Sequence, residues 1–207
     1  MKSKEIILCD VDGVVADLMG GFADWLKLMG ADMPMIDISK IEMFDIRQAS
    51  RLPSLIETDE RLRARGMWPA PDGEGGINGA FMEFMHGWDA YVDVEVISGA
   101  REGILELQED YDVRFVTALM DAAPEHIPSK MKWMKNYFPT VPCFTAPSKL
   151  KMDIRGDIGI DDRYDTCMRW EAVDVRSYVF KQSWNEAPEG HPRYDWSNIV
   201  KAIKNNE

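Results

Sequence analysis

Ile6, Ile7, Leu8 and Cys9 form an unbroken apolar run that stops at a carboxylate, Asp10. Too short for a core helix, it predicts a buried parallel strand. A turn through Gly13 follows. Val14, Val15, Leu18, Phe22, Trp25, Leu26 and Met29 then recur at helical spacing up to Gly30, which predicts a helix over 14–29. Between 31 and 96 the pattern loses its regularity. Pro34, Pro53 and the Pro/Gly-rich stretch 69–76 interrupt it, and helical patches remain around 54–65 and 79–88. This reads as a small, mostly helical insertion. Order returns with a helix over 100–110, a strand at 113–117 ending on Thr117, and a helix over 129–137 closed by Phe138 and Pro139. A weak strand near 143–145, a clear one at 158–160 running into Asp161 and Asp162, a strand at 176–180 and a short helix over 197–204 complete the pattern.

Strands alternating with helices predict an α/β fold with a parallel sheet and right-handed crossovers. The C-terminal ends of the strands then share one edge, where ligands of open sheets bind. Asp10, Thr117, Asp161 and Asp162 all fall at such ends.

Composition narrows the choice. With 207 residues, 45% of them apolar, the chain can bury a sizeable core. A net charge of -12 argues against polymeric nucleic acid, whose phosphates require a basic surface, but tolerates a single nucleotide held through a metal and a lysine or two. No stretch approaches a membrane span and the first residues are too weakly apolar for a signal peptide, so a cytoplasmic protein is expected. Three cysteines without a CxxC pair suit reduced thiols better than disulfides or zinc. A homodimer is compatible with all of this.

The Asp10-Val11-Asp12-Gly13 motif puts two carboxylates two residues apart at a turn. Cleaving a phosphate monoester requires an oxygen nucleophile, a cation to neutralise the phosphoryl oxygens and an acid for the departing alkoxide. One aspartate can attack, forming an aspartyl-phosphate, and the other can act as acid and then as base for water. Asp161 and Asp162 supply hard oxygen ligands suited to Mg²⁺, Thr117 a hydroxyl for a phosphate oxygen, and a lysine near 150 positive charge. Singly, each feature has a plainer reading: a polar turn, a solvated acidic pair, a strand threonine, surface lysines. A calcium loop is disfavoured because Val11, Val14 and Val15 occupy positions that such loops fill with oxygen ligands. A DxD glycosyltransferase and a non-catalytic binding module remain as rivals from other classes. The joint pattern favours the phosphatase.

These residues resemble the haloacid dehalogenase superfamily, and within it the cytosolic type C 5'(3')-deoxyribonucleotidases. The likeness is carried by DVDGVVADLMGGF (10–22), SGAREGILEL (98–107), KMKWMKNYF (130–138), KMDIRGDIGIDDR (151–163) and the tail with FKQSWNE and HPRYDW. It implies a Rossmann-like core of 1–17 and 97–207 with a small helical cap, 18–96, inserted after the first motif. It implies Asp10 as nucleophile and metal ligand, and Asp12 as acid/base lending its backbone carbonyl to Mg²⁺. Asp161 and Asp162 correspond to the metal-binding pair, and Thr117 and Ala118 to the phosphate cradle. Lys151 fits the motif lysine better than Lys149, and Lys130 is a further lysine able to reach the phosphate. Leu18 and Phe44 would line a base pocket, with Tyr91 and Trp88 as further candidates. The implied reaction is hydrolysis of deoxyribonucleoside 5'-monophosphates; a sugar phosphate or a modified nucleotide is the alternative substrate. Family members often read Thr-Ser-Pro where this chain has Thr117-Ala118-Leu119, so a hydroxyl is missing from the cradle. His86, His126 and His191 show no ligand spacing and read as surface or structural residues, and Asn185 and Arg193 fall in a loop that closes the site in relatives.

Overall fold

The computed structural model describes residues 3–29, 81, 84–86, 90–120, 124–185 and 191–206. Six strands, β1 (Ile6–Cys9), β2 (Asp112–Leu119), β3 (Cys143–Pro147), β4 (Ile158–Asp161), β5 (Arg176–Phe180) and β6 (Arg193–Tyr194), form one sheet ordered β3-β2-β1-β4-β5-β6. Every pairing is parallel, so the expected α/β class with a parallel, Rossmann-like sheet is correct.

Alternation along the strands fills two cores. Ile7 and Cys9 of β1 join Phe115, Ile160 and Tyr178 in the larger cluster, whereas Leu8 joins Val116, Trp170 and Val175 in a second. Successive side chains point to opposite faces, so an apolar run with no polar alternation is what a strand covered on both sides requires. Helix α2 (Ala100–Asp110) packs on β2 and on α5 (Ile199–Asn205), and α4 (Tyr164–Glu171) packs on β4 and β5. Gly159 makes room for α4: a Cβ there would lie 2.2 Å from the Trp170 ring. Helices α1 (Leu18–Met29) and α3 (His126–Tyr137) are further helices among the described residues. Cys9 and Cys167 are buried free thiols.

The register aligns the strand ends. Cys9 pairs with Phe115 on one side and Ile160 on the other, which brings Asp10, Thr117 and Asp161 to the same edge.

Three boundaries are corrected and three elements are added. The helix expected from Val14 begins at Leu18, because Val14, Val15 and Ala16 instead donate their N–H groups to the Val11 carbonyl in a turn and are fully buried there. Asp17 caps the true helix through its Oδ1, which accepts from the Gly20 N–H at 2.9 Å. Helix α3 starts at His126 rather than at Ser129, and β3 extends to Pro147. Between β3 and β4, Ser148–Asp153 forms a 3-10 helix that carries Lys151. Helix α4 and the two-residue β6 were not anticipated at all. The expected cap of 18–96 lies largely outside the described residues, and Phe44 and Trp88 lie wholly outside them.

Candidate active site

Asp10 leaves β1 with its backbone N–H on the Ile160 carbonyl at 2.8 Å, so the central strand pairing continues to the nucleophile candidate itself. One carboxylate oxygen, Oδ1, accepts from the Val11 N–H at 2.7 Å; the other lies 2.7 Å from Lys151 Nζ. Lys151 also donates to Asp161 Oδ2 at 2.6 Å, while Asp161 Oδ1 accepts from the Arg163 N–H at 2.8 Å. Asp161 thus braces the lysine, and Asp162 is the member of the pair that lines the cavity. Gly13 has φ +75°, and a Cβ there would approach Asp162 Oδ2 to 2.7 Å. Only a glycine lets the first loop close over that carboxylate.

Asp10, Asp161 and Asp162 each offer an oxygen within 4.8 Å of the others, and all three are buried. Burial pushes the Asp10 carboxyl up to about 6; Lys151 works against this, and Asp161 and Asp12 add to it. Burial, then the Asp161 and Asp10 charges, likewise raise Asp162 well above the usual carboxylate range. Burial opposes the Lys151 charge, but the two carboxylates facing it outweigh burial and hold the ammonium above its ordinary value. Three carboxylates against one ammonium leave an excess of negative charge that a divalent cation would neutralise. The all-oxygen donor set fits magnesium. The Asp12 carboxylate stands outside this cluster: Tyr91 donates its hydroxyl to Oδ1, and Lys130 pairs with Oδ2.

The cavity above these groups has a volume of about 300 Å³. Leu18, Met19, Phe81, Met85 and Met120 give its lining an apolar part, and Ala118, Arg163 and Thr166 also line it. Thr117 is fully buried at the end of β2, and its Oγ1 has no hydrogen-bond partner among the described residues. An orphaned buried hydroxyl is costly unless something else satisfies it. Lys149 has no described side chain.

Tyr91 is the clearest revision. It is 2% exposed and faces Asp12, not a base site. Lys130 binds Asp12 in place of a phosphate in this arrangement. The resemblance places Asn185 and Arg193 in a site-closing loop but leaves Trp184 and Gln182 unread: Trp184 Nε1–H donates to Asp162 Oδ2 at 2.8 Å, Gln182 Nε2–H to the Gly13 carbonyl, and Asn185 Nδ2–H to the Asp162 carbonyl at 2.6 Å. Arg193 in turn donates to the Asn185 carbonyl at 3.0 Å. Of the histidines, His126 is buried in α3, His86 pairs with Glu125 at 2.8 Å and His191 meets the Tyr164 ring edge-on.

The profile of a family described as 5' nucleotidase, deoxy (pyrimidine), cytosolic type C protein matches residues 77–205, more than half of the chain. The chain belongs to that family. This cytosolic type C member is 23% identical over 175 residues, 83% of its length, to the 5'(3')-deoxyribonucleotidases of Bacillus subtilis (strain 168) and of Bacillus phage SPbeta, 84% of each being covered. Its fold is that of the haloacid dehalogenase superfamily. A magnesium-bound HAD-hydrolase of Bacillus subtilis aligns with a TM-score of 0.55 at 15% identity, covering 98% of this chain and 99% of that one. An L-2-haloacid dehalogenase aligns equally well, with a TM-score of 0.55 at 8% identity over 97% of this chain and 100% of that one. At such identities the likeness to solved structures is one of fold. Family and buried acidic cluster together make the type C member a haloacid dehalogenase-like phosphohydrolase.

Proposed function

We propose that this protein is a magnesium-dependent phosphatase that hydrolyses deoxyribonucleoside 5'-monophosphates through an aspartyl-phosphate at Asp10. One observation carries the reading: the carboxylate that ends the central strand is gripped by Lys151 at 2.7 Å, next to two further buried carboxylates, at the floor of an apolar-walled cavity. Asp10, Asp162, Asp161 and the backbone carbonyl of Asp12 would hold the ion. Magnesium there supplies the positive charge that lets an anionic carboxylate approach a phosphate dianion.

The protein's own groups do the rest. Asp10 attacks phosphorus, and Lys151 neutralises charge on the phosphoryl oxygens. The Thr117 hydroxyl and the backbone at Ala118 receive a phosphoryl oxygen, which would satisfy the orphaned Oγ1. Asp12 gives a proton to the sugar oxygen as it departs, and afterwards takes one from the water that attacks the aspartyl-phosphate. The wall of Leu18, Met19, Phe81, Met85 and Met120 suits a flat nucleobase, since thioethers pack well on aromatic rings.

Replacing Asp10→Asn is expected to abolish turnover while the folded far-ultraviolet spectrum is retained, and retained activity would end the proposal. A panel of nucleotides and sugar phosphates assayed with magnesium decides the substrate. The highest kcat/KM should fall on a deoxyribonucleoside 5'-monophosphate; a preference for a sugar phosphate would support the alternative.

A further inference from the structure

Two buried groups beside Asp12 have no task in the reaction as described. Lys130 is 2% exposed in the middle of α3, and Tyr91, equally buried, lies just before the chain re-enters the core. A lysine is rarely buried so deeply unless it is paired. Here its partner is Asp12 Oδ2, while the Tyr91 hydroxyl takes Oδ1. The two donors are themselves packed against neighbours. Lys130 Nζ lies 5.5 Å from the centre of the Tyr91 ring, which stacks on His126 at 6.4 Å and meets Trp133 edge-on at 6.3 Å. Trp133 is fixed in turn by its Nε1–H, which donates to the Val94 carbonyl at 2.7 Å. Neither Lys130 nor Tyr91 lines the cavity.

We propose that Lys130 and Tyr91 are positioning residues that seat the Asp12 carboxylate and stabilise the charge it acquires as it protonates the leaving oxygen. This rests on the phosphatase reading above. In the first half-reaction an Asp10 oxygen bonds to phosphorus, the ester P–O bond breaks, and the proton of Asp12 passes to the departing oxygen, which leaves as an alcohol. Negative charge develops on Asp12 during that transfer, facing an ammonium and a phenol already in place. In the second half-reaction water bonds to phosphorus, its proton returns to Asp12, and the bond from phosphorus to Asp10 breaks, releasing orthophosphate. With one oxygen claimed by each donor, Asp12 keeps a single orientation in a loop whose backbone would otherwise leave its side chain free to turn.

Leaving-group dependence separates this role from a general loss of fold. A deoxyribonucleoside 5'-monophosphate releases an alkoxide that requires a proton, whereas p-nitrophenyl phosphate releases a phenolate that does not. For both substrates kcat/KM covers the steps up to the aspartyl-phosphate. Tyr91→Phe should lower kcat/KM on the nucleotide by about tenfold and Lys130→Met by about a hundredfold, within the range of a general acid's contribution. On p-nitrophenyl phosphate both variants should stay within about threefold of the parent, because that leaving group does not draw on the acid. Equal losses on the two substrates, or none on either, would overturn the seat. Tyr91→Phe deletes a single oxygen, so the test stands even if Lys130→Met does not fold. Asp12→Asn serves as reference. Should it fail to distinguish the two substrates, the acid/base role of Asp12 falls and the seat with it; a split in Asp12→Asn that is absent from both other variants removes the seat alone.

Discussion

Asp162 shows how a single side chain is built into the proposed cation site. Gly13 lets the first loop close on it, Trp184 donates to one oxygen, and Asn185 donates to its backbone carbonyl. Partners behind a ligand commonly change metal affinity by about 10–100-fold when lost. Trp184→Phe keeps the ring packing and removes the donor, so magnesium should bind roughly tenfold more weakly by calorimetry, with the thermal midpoint of the metal-free protein little changed. Unaltered magnesium affinity would assign Trp184 to packing alone. None of this was legible from composition. The acidic residues could be read because each directly follows an apolar run, and Lys151 because of its spacing to the acidic pair. Trp184, Tyr91 and Lys130 act across large stretches of chain and, taken by themselves, look like core aromatics and a helix-surface lysine.

The elements were easiest to read where apolar residues outnumber alternatives. Strands β1 and β4 are almost wholly buried runs with one interpretation, β5 ends in one, and α2 carries a regular apolar stripe. Helix α4 escaped notice because only Thr166, Cys167 and Trp170 are buried in its eight residues, too few to set a period. The false start at Val14 has the opposite cause: three buried residues in a row mimic a helix while serving a turn. One consequence concerns Gly159, whose missing side chain seats Trp170 on the sheet. Gly159→Ala forces a methyl group to 2.2 Å from that ring, and overpacking of this kind typically costs about 1–3 kcal/mol. A lowered midpoint in urea, with an unchanged slope, is expected; an unchanged midpoint would show that α4 can shift at no cost.

Across the molecule the dominant electrostatic fact is unneutralised acid. The net charge of -12 is spread over the chain, yet three carboxylates meet in one buried place with a lysine for company. Asp10 holds its proton up to about 6 in the folded protein, above its ordinary 3.8, and Asp162 is displaced the same way. The proton therefore binds more tightly to the folded form than to the unfolded chain. In metal-free protein this contribution to stability is complete below the ordinary value and is lost as the pH rises through about 6. Magnesium has the reverse preference, since it needs the carboxylates ionised. Saturating magnesium should accordingly raise the thermal midpoint little at pH 5 and distinctly more at pH 7.5. An equal rise at both would mean that the ion binds somewhere other than this cluster.

The crossing point between the first loop and the returning chain has its own consequence. Ala16 bridges Val96, the Asp17 N–H donates to the Glu95 carbonyl at 2.9 Å, and the Ile97 N–H donates to the Val15 carbonyl at 2.9 Å. Asp17 and Glu95 meet here, so the sequence between them is a loop closed by these backbone contacts. Closing such a loop grows more costly only slowly, by about 0.6 kcal/mol for each doubling of its length. A change of length within this loop therefore costs little in itself, provided that Tyr91 still returns to Asp12, so one residue of the intervening sequence stays tied to the chemistry.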